Sequence, residues 1–366
     1  MFRFVLSFAV ATGLTAPVLA QSIDTQSGPL SVSAVVSDLD VPWAFGFLPD
    51  GTVLITEREG SLLAVKGDTR RNIDGLPKIL VDGQGGLLDV LVPSDFAQTR
   101  ELFFTYAKKQ FLRSSGTAVY RARLSEDGGR LEDGETIFEI ARGTGGGFHF
   151  GSRLVEAQDG SLYVTIGDRG SGDLAQDLDM HNGSVLRITR DGDPHPDNPF
   201  LNTRGARPEI WSYGHRNPQG AAMDAAGQLW VNEHGAKGGD EVNLIEKGAN
   251  YGWPVIAYGV NYDGSKIGEG TEREGMKQPV HYWDPSIAPS GMTFFEGGPW
   301  DGDAFVGSLK FDYIARLSGD PLREVEQIKG EETIRVRDVR QGPDGALYFL
   351  SIGNGALYRL GTGESG

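Results

Sequence analysis

A turn built on glycine, a short apolar strand, a second turn and another strand recur along this chain, and that repetition constrains the fold more than any other feature. Full copies follow Asp50-Gly51 (TVLITE, SLLAV), Asp159-Gly160 (SLYVTIGD, SVLRIT), Ala226-Gly227 (QLWVNE, EVNLIE) and Asp344-Gly345 (ALYFLSI, ALYRL). Weaker copies follow Arg100 (ELFFTYAKK, TAVYRARL) and Gly302 (DAFVGSLK, YIARL), which brings the number to six. A single hairpin sheet cannot bury both of its faces, so repeated hairpins need neighbours on each side, and radial repetition provides them. Helical periodicity is nearly absent beyond residue 21, apart from a short turn over residues 175–180. The expected fold is therefore all-β, a six-bladed β-propeller, with a pair of β-sandwiches as the alternative. The strand Ser31 to Val36 precedes the first full copy and is placed to complete the last blade and latch the ring. Copies are unevenly spaced, with Gly-, Pro-, Asn- and Asp-rich insertions at residues 191–208 and 258–277. Long loops on a rigid scaffold commonly carry function.

Charge and cysteine content narrow the chemistry. The 366 residues include 34 Lys+Arg and 50 Asp+Glu, a net charge of -16, with no Lys/Arg run longer than Arg70-Arg71. Nucleic-acid binding needs a concentrated basic surface, and an anionic membrane repels such a chain, so neither partner is expected. The absence of cysteine removes disulfides, thiolate metal sites and cysteine nucleophiles, which leaves oxygen and imidazole as metal ligands. Residues 1–20 read as a cleavable signal peptide: Arg3 is the positive region, residues 4–14 are apolar, and the segment ends Pro17-Val18-Leu19-Ala20. The apolar stretch falls well short of the roughly 20 residues that span a bilayer. The expected organisation is thus residues 21–366 as one propeller domain, periplasmic or secreted, with no membrane span in the mature chain.

Candidate chemistry concentrates in glycine-rich connections. His149 lies in GTGGGFHFGSR, where glycines allow close approach just before a strand. Imidazole titrates near working pH, so His149 is either a general base or a structural histidine. Arg216 and Asn217 in YGHRNPQG offer a planar charged fork beside an amide, suited to carboxylates or polarised carbonyls, or to capping neighbouring strands. The segment EHGAKGGDE, leading to NYGWP, supplies hard oxygen ligands and open carbonyls of the kind Ca²⁺ prefers, or merely solvated turns. Arg335 and Arg337 in IRVRDV are expected on the same face of a strand, with Lys310 in GSLK nearby. Like charges so placed call for an anion between them or for neutralising carboxylates. No HExxH, P-loop, Gly-x-Ser-x-Gly or EF-hand pattern is present, and the GTGGGF run opens no βαβ unit.

Taken in order, HFGSRL, GDRG, GHRNPQG, EHGAKGGDEVN, NYGWP, GSLK and RVRDV resemble the soluble PQQ-dependent aldose sugar dehydrogenases, quinoproteins related to soluble glucose dehydrogenase. The resemblance runs from about Val41 to Leu360 and implies a six-bladed propeller with PQQ and Ca²⁺ as cofactors. It implies that His149 is the base that takes the anomeric hydroxyl proton, with Arg216 and Asn217 beside the C5 oxygen of PQQ, where negative charge develops. Gln84, Lys310, Arg335 and Arg337 match PQQ contacts. The carbonyls of Gly235 and Ala236 match ligands of the Ca²⁺ that bridges protein to PQQ, and Glu241 and Tyr251, with Tyr262, match a second Ca²⁺ site. Phe148 stands where glucose dehydrogenases have an acidic residue, Ala236 where relatives have Pro, and Arg169 where the glucose enzymes have Gln, a change expected to bear on substrate preference.

The function expected from this resemblance is oxidation of the C1 hydroxyl of aldoses to lactones, with electrons passed to a quinone, a cytochrome or an artificial dye. The alternatives are a calcium-dependent propeller lactonase, which would need acidic and Asn ligands around the axis, and a propeller that binds without catalysis.

Overall fold

The computed structural model describes residues 21–362, so the expected signal peptide at residues 1–20 lies outside the described residues. The chain forms six antiparallel sheets, five of four strands and one of five. Blade 1 takes Pro42–Phe47, Val53–Glu57, Ser61–Lys66 and Thr69–Asn72. Blade 2 opens with Leu87–Leu91, blade 3 with Leu154–Glu156, blade 4 with Pro218–Met223, blade 5 with Pro289–Phe294 and blade 6 with Val336–Gln341. These opening strands touch one another in turn, blade 6 returning to blade 1, and so wall a central channel. The molecule is a six-bladed β-propeller.

Each sequence repeat is the second and third strand of a blade. Val53–Glu57, Leu162–Ile166 and Leu347–Ser351 are buried at every position, because a blade is covered on both faces by its neighbours. The opening strands escape the repeat pattern because they converge on the axis and must be small there. A Cβ on Gly220 would run into the carbonyl of Ser290, and one on Gly291 into Asp338. Blade 6 is closed by the N-terminus: Gly28–Val36 pairs antiparallel with Ala356–Thr362, with Leu30 opposite Thr362 and Val32 opposite Leu360. The expected latch is present and begins earlier than Ser31. Residues 175–180 do not form the expected turn of helix; a 3-10 segment occupies Gly172–Gln176 instead. The expected insertions lie inside blades 3 and 4, before their outermost strands Ile210–Tyr213 and His281–Trp283.

Strand alternation fixes where the candidate residues gather. In a four-stranded meander, the connection entering the blade and the connection between its second and third strands lie at the same end. One rim of the channel therefore collects Gln84, His149, Arg216 and Arg335 from entering connections, and Asp168, Gly235 and Lys310 from the inner ones. Below that rim the axis is crossed by buried ion pairs. Arg153 Nη1 lies 3.1 Å from both Asp89 and Asp338, and Arg340 pairs with the same two carboxylates at 2.6 and 2.9 Å.

Candidate active site

His149 adopts φ 52, a left-handed conformation in the connection entering blade 3. Its Nδ1 lies 2.6 Å from Asp168 Oδ1, and its side chain keeps 15% exposure. Asp168 is almost fully buried, and its carboxylate also accepts from the Gly170 N–H at 2.7 Å and from Trp253 Nε1–H at 2.8 Å. With the carboxylate so fixed, Nδ1 carries its proton toward Asp168 and Nε2 is the free acceptor. The His149 N–H donates to Gln84 Oε1 at 2.8 Å, which ties this histidine to an exposed residue that was itself a candidate. Asp168 was missed in the sequence, although GDRG directly follows a repeat strand at this rim. Gly167 before it is required, since a Cβ there would meet the His149 carbonyl.

Arg216 and Asn217 enter blade 4 beside this pair. The Arg216 N–H donates to Glu233 Oε2 at 2.6 Å, while Nη1 donates to the carbonyls of His234 and Gly235 at 3.2 and 2.5 Å. Its guanidinium lies 5.3 Å from the Trp253 ring centroid, so the indole touches both Arg216 and the partner of His149. Asn217 Oδ1 accepts from the Gly151 N–H at 3.3 Å and from Gln219 at 3.1 Å.

A cavity of about 190 Å³ is lined by Trp43, Gln84, Phe150, Asn217, Arg335 and Arg337. The basic pair reaches it by a different route from the one expected. The strand begins at Val336, and Arg335 sits before it at φ 54 with its N–H held by Asp312 at 2.8 Å, so no pleat places the two arginines side by side. Arg337 is 4% exposed, its guanidinium 4.1 Å over Trp43, with Arg153 4.6 Å from the same ring. Among the described residues it has no ion pair. Burial pushes the Arg337 guanidinium down to about 9, with Arg153 adding to the effect. A buried cation without a counter-charge is costly, so this cradle fits an anionic ligand. Lys310 is exposed at the rim, its Nζ 5.0 Å from the Phe311 ring, and does not line the cavity.

A smaller cavity beside it is lined by Arg216, Glu233, Gly235, Ala236, Glu241 and Tyr251. Burial, then Glu233, pushes the Glu241 carboxyl up to about 8. Glu233 is already occupied by His215 Nδ1 at 2.8 Å and the Arg216 N–H, whereas Glu241 accepts only from Asn243 at 3.1 Å. The Tyr251 phenol donates to the Leu244 carbonyl at 2.5 Å and accepts from the Glu246 N–H at 2.8 Å, which leaves its main chain as the available ligand. Tyr262 is 75% exposed on the blade 4 insertion and is not brought to these residues. Among the described residues no three His, Cys, Asp or Glu side chains cluster as metal ligands, so cations here would depend mainly on main-chain carbonyls, with Glu241 the acidic side chain available to one of them. That donor set suits Ca²⁺.

The family model for Glucose / Sorbosone dehydrogenase matches residues 39–359. The chain belongs to the glucose/sorbosone dehydrogenase family. It is 43% identical over 349 residues to the aldose sugar dehydrogenase YliI of Escherichia coli, an alignment covering 92% of this chain and 94% of that protein. The apo crystal structure of the soluble aldose sugar dehydrogenase from Escherichia coli superposes with a TM-score of 0.87 at 41% identity, covering 91% of this chain and 99% of that one. The PQQ-bound aldose sugar dehydrogenase of Streptomyces coelicolor superposes with a TM-score of 0.75 at 27% identity, covering 91% and 98%.

Two departures within the glucose/sorbosone dehydrogenase frame have different outcomes. Phe148 is 57% exposed beside His149, with ring centroids 6.3 Å apart, and presents an apolar face at the rim. Arg169 points inward. It is 1% exposed, so any bearing it has on substrate preference is exerted from within the fold.

Proposed function

We propose that the protein is an exported PQQ- and Ca²⁺-dependent dehydrogenase that oxidises the C1 hydroxyl of aldoses to lactones and passes the electrons to a quinone or cytochrome. The observation that carries this reading is the Asp168-oriented His149 beside a cavity that holds the unpaired Arg337. Bound PQQ would supply a quinone that accepts a hydride. Arg335 and Arg337 would hold its carboxylates, with Gln84 and Lys310 completing the cradle from the rim. His149 Nε2 would take the proton of the anomeric hydroxyl, and Asp168 would stabilise the imidazolium as it forms. Arg216 and Asn217 would donate to the oxygen on which negative charge grows. Gly235 and Ala236 carbonyls would hold one Ca²⁺, with Glu241 and the Tyr251 main chain serving another.

A lactonase would need acidic and Asn ligands free around the axis, whereas Asp89 and Asp338 there are taken by Arg153 and Arg340, and among the described residues no three His, Cys, Asp or Glu side chains group to hold a metal. Retention of the His149 and Asp168 pair disfavours a propeller that only binds. Export rests on residues 1–20; among the described residues no helix is long and apolar enough to cross a membrane. The deciding experiment is dye reduction by purified apoprotein with a panel of aldoses, with PQQ and Ca²⁺ together and each omitted. Turnover only with both supports the reading. Failure to bind PQQ would reject it.

A further inference from the structure

Arg169 is among the largest fully buried side chains, and among the described residues its guanidinium has no carboxylate within ion-pairing distance. Its acceptors are instead neutral. Nη1 donates to the carbonyl of Phe148, and Nη2 donates to the carbonyl of Gly146 at 2.7 Å and to Ser115 Oγ at 3.0 Å. Phe150 lies under the fork, 3.4 Å from guanidinium carbon to ring centroid. The contact is returned through the main chain, since Thr144 Oγ1 donates to the Arg169 carbonyl at 2.9 Å. The carbonyls of residues 146 and 148 and the ring of Phe150, all in the connection into blade 3, thus meet one side chain from blade 3's inner connection, and Thr144 bonds the main chain of the same residue.

The location explains why a buried charge is tolerated. The peptide between Phe148 and His149 is gripped at both ends, its C=O by Arg169 and its N–H by Gln84 Oε1. His149 holds φ 52, a conformation that a residue with a Cβ occupies only when its surroundings impose it. Rotation of that peptide would swing the imidazole away from Asp168. Asp168 adjoins Arg169, so one short segment supplies both the partner of the imidazole and the clamp on its main chain.

We propose that Arg169 is a positioning residue for the base: an internal cation on which the carbonyls preceding His149 converge, fixing the imidazole against Asp168. This rests on the reading of His149 as the base. Lysine cannot replace it, because one ammonium does not span carbonyls that a planar fork reaches from two nitrogens.

The test compares Arg169→Gln and Arg169→Lys with wild type by two readouts. One is the downfield proton resonance of His149 Nδ1–H bonded to Asp168, recorded in the chain without cofactor. The other is kcat and KM of enzyme loaded with PQQ and Ca²⁺. Both variants should lose or shift the resonance, and kcat should fall by about 10²-fold while KM changes little, the scale expected for a misplaced catalytic group. An unchanged resonance with unchanged kcat in folded Arg169→Gln overturns the proposal. If Arg169→Gln does not fold, Thr144→Val decides: it removes only the return bond and should lower kcat by about three- to tenfold with a shifted resonance, and no change in either overturns the proposal. The resonance is read without substrate, so a wild-type enzyme inactive on every aldose would defeat the functional reading and leave this measurement standing.

Discussion

At the scale of single residues, the site depends on charges placed where water cannot serve them. His149 is oriented by Asp168, which accepts from Nδ1–H and leaves Nε2 open. His149→Ala should lower turnover by about 10²-fold or more, the usual loss on removing a general base, with PQQ affinity by titration close to wild type. Activity near wild type would show that another group takes the proton. Arg337 is a buried cation lining the cavity and has no ion pair among the described residues. Replacing Arg335 and Arg337 together with Ala should weaken PQQ binding by at least about tenfold, as expected from loss of charge-assisted hydrogen bonds. Equal titration curves for variant and wild type would remove these arginines from the cradle.

At the scale of elements, the ring is held by its seam. Gly28–Val36 adds to the last blade and places Leu30 and Val32 in a core with Phe305, Leu347 and Phe349, so the first strands in sequence help cover the last blade. Leu30→Ala removes a side chain that is 3% exposed and should cost about 2–5 kcal/mol, read from the urea unfolding midpoint. A midpoint shift no larger than that of an exposed substitution would mean that the seam contributes little. The same element was legible in the sequence, because an unpaired strand before the first full repeat has nowhere else to go in a closed ring. Arg335 and Arg337 were legible as a pair but not in their backbone geometry. Strand spacing predicts a shared face, whereas the chain instead turns left-handed at Arg335 where Asp312 captures its N–H.

At the scale of the whole molecule, residues from blades 2 and 6, with Arg153 at the entrance to blade 3, meet on the axis. Asp89 accepts from Arg153 and Arg340 while also holding the Leu154 N–H at 2.8 Å, so one carboxylate ties strands far apart in the ring. Asp89→Asn leaves buried guanidinium groups short of a counter-charge and should destabilise the fold by about 3–5 kcal/mol in denaturant titration. A loss below about 1 kcal/mol, the range of an exposed pair, would mean that the axis tolerates an open network.

The sequence by itself determined the propeller, the number of its blades and the rim on which chemistry gathers. Those features follow from strand repetition and alternation, which are local properties of the chain. It also marked His149, Arg216 and Asn217, because glycines flanking reactive side chains are visible without coordinates, and the basic pair, because two arginines at strand spacing stand out in an acidic chain. Only the tertiary structure decided which charges face one another. Asp168 and Arg169 are neighbours in one motif, yet the first holds the imidazole while the second turns into the core to hold carbonyls. Tyr262 stands in the same stretch of sequence as Tyr251 and remains in solvent. The physical reason is that a side chain's role depends on the partners it meets across blades, and those partners are set by the closure of the ring, not by spacing along the chain.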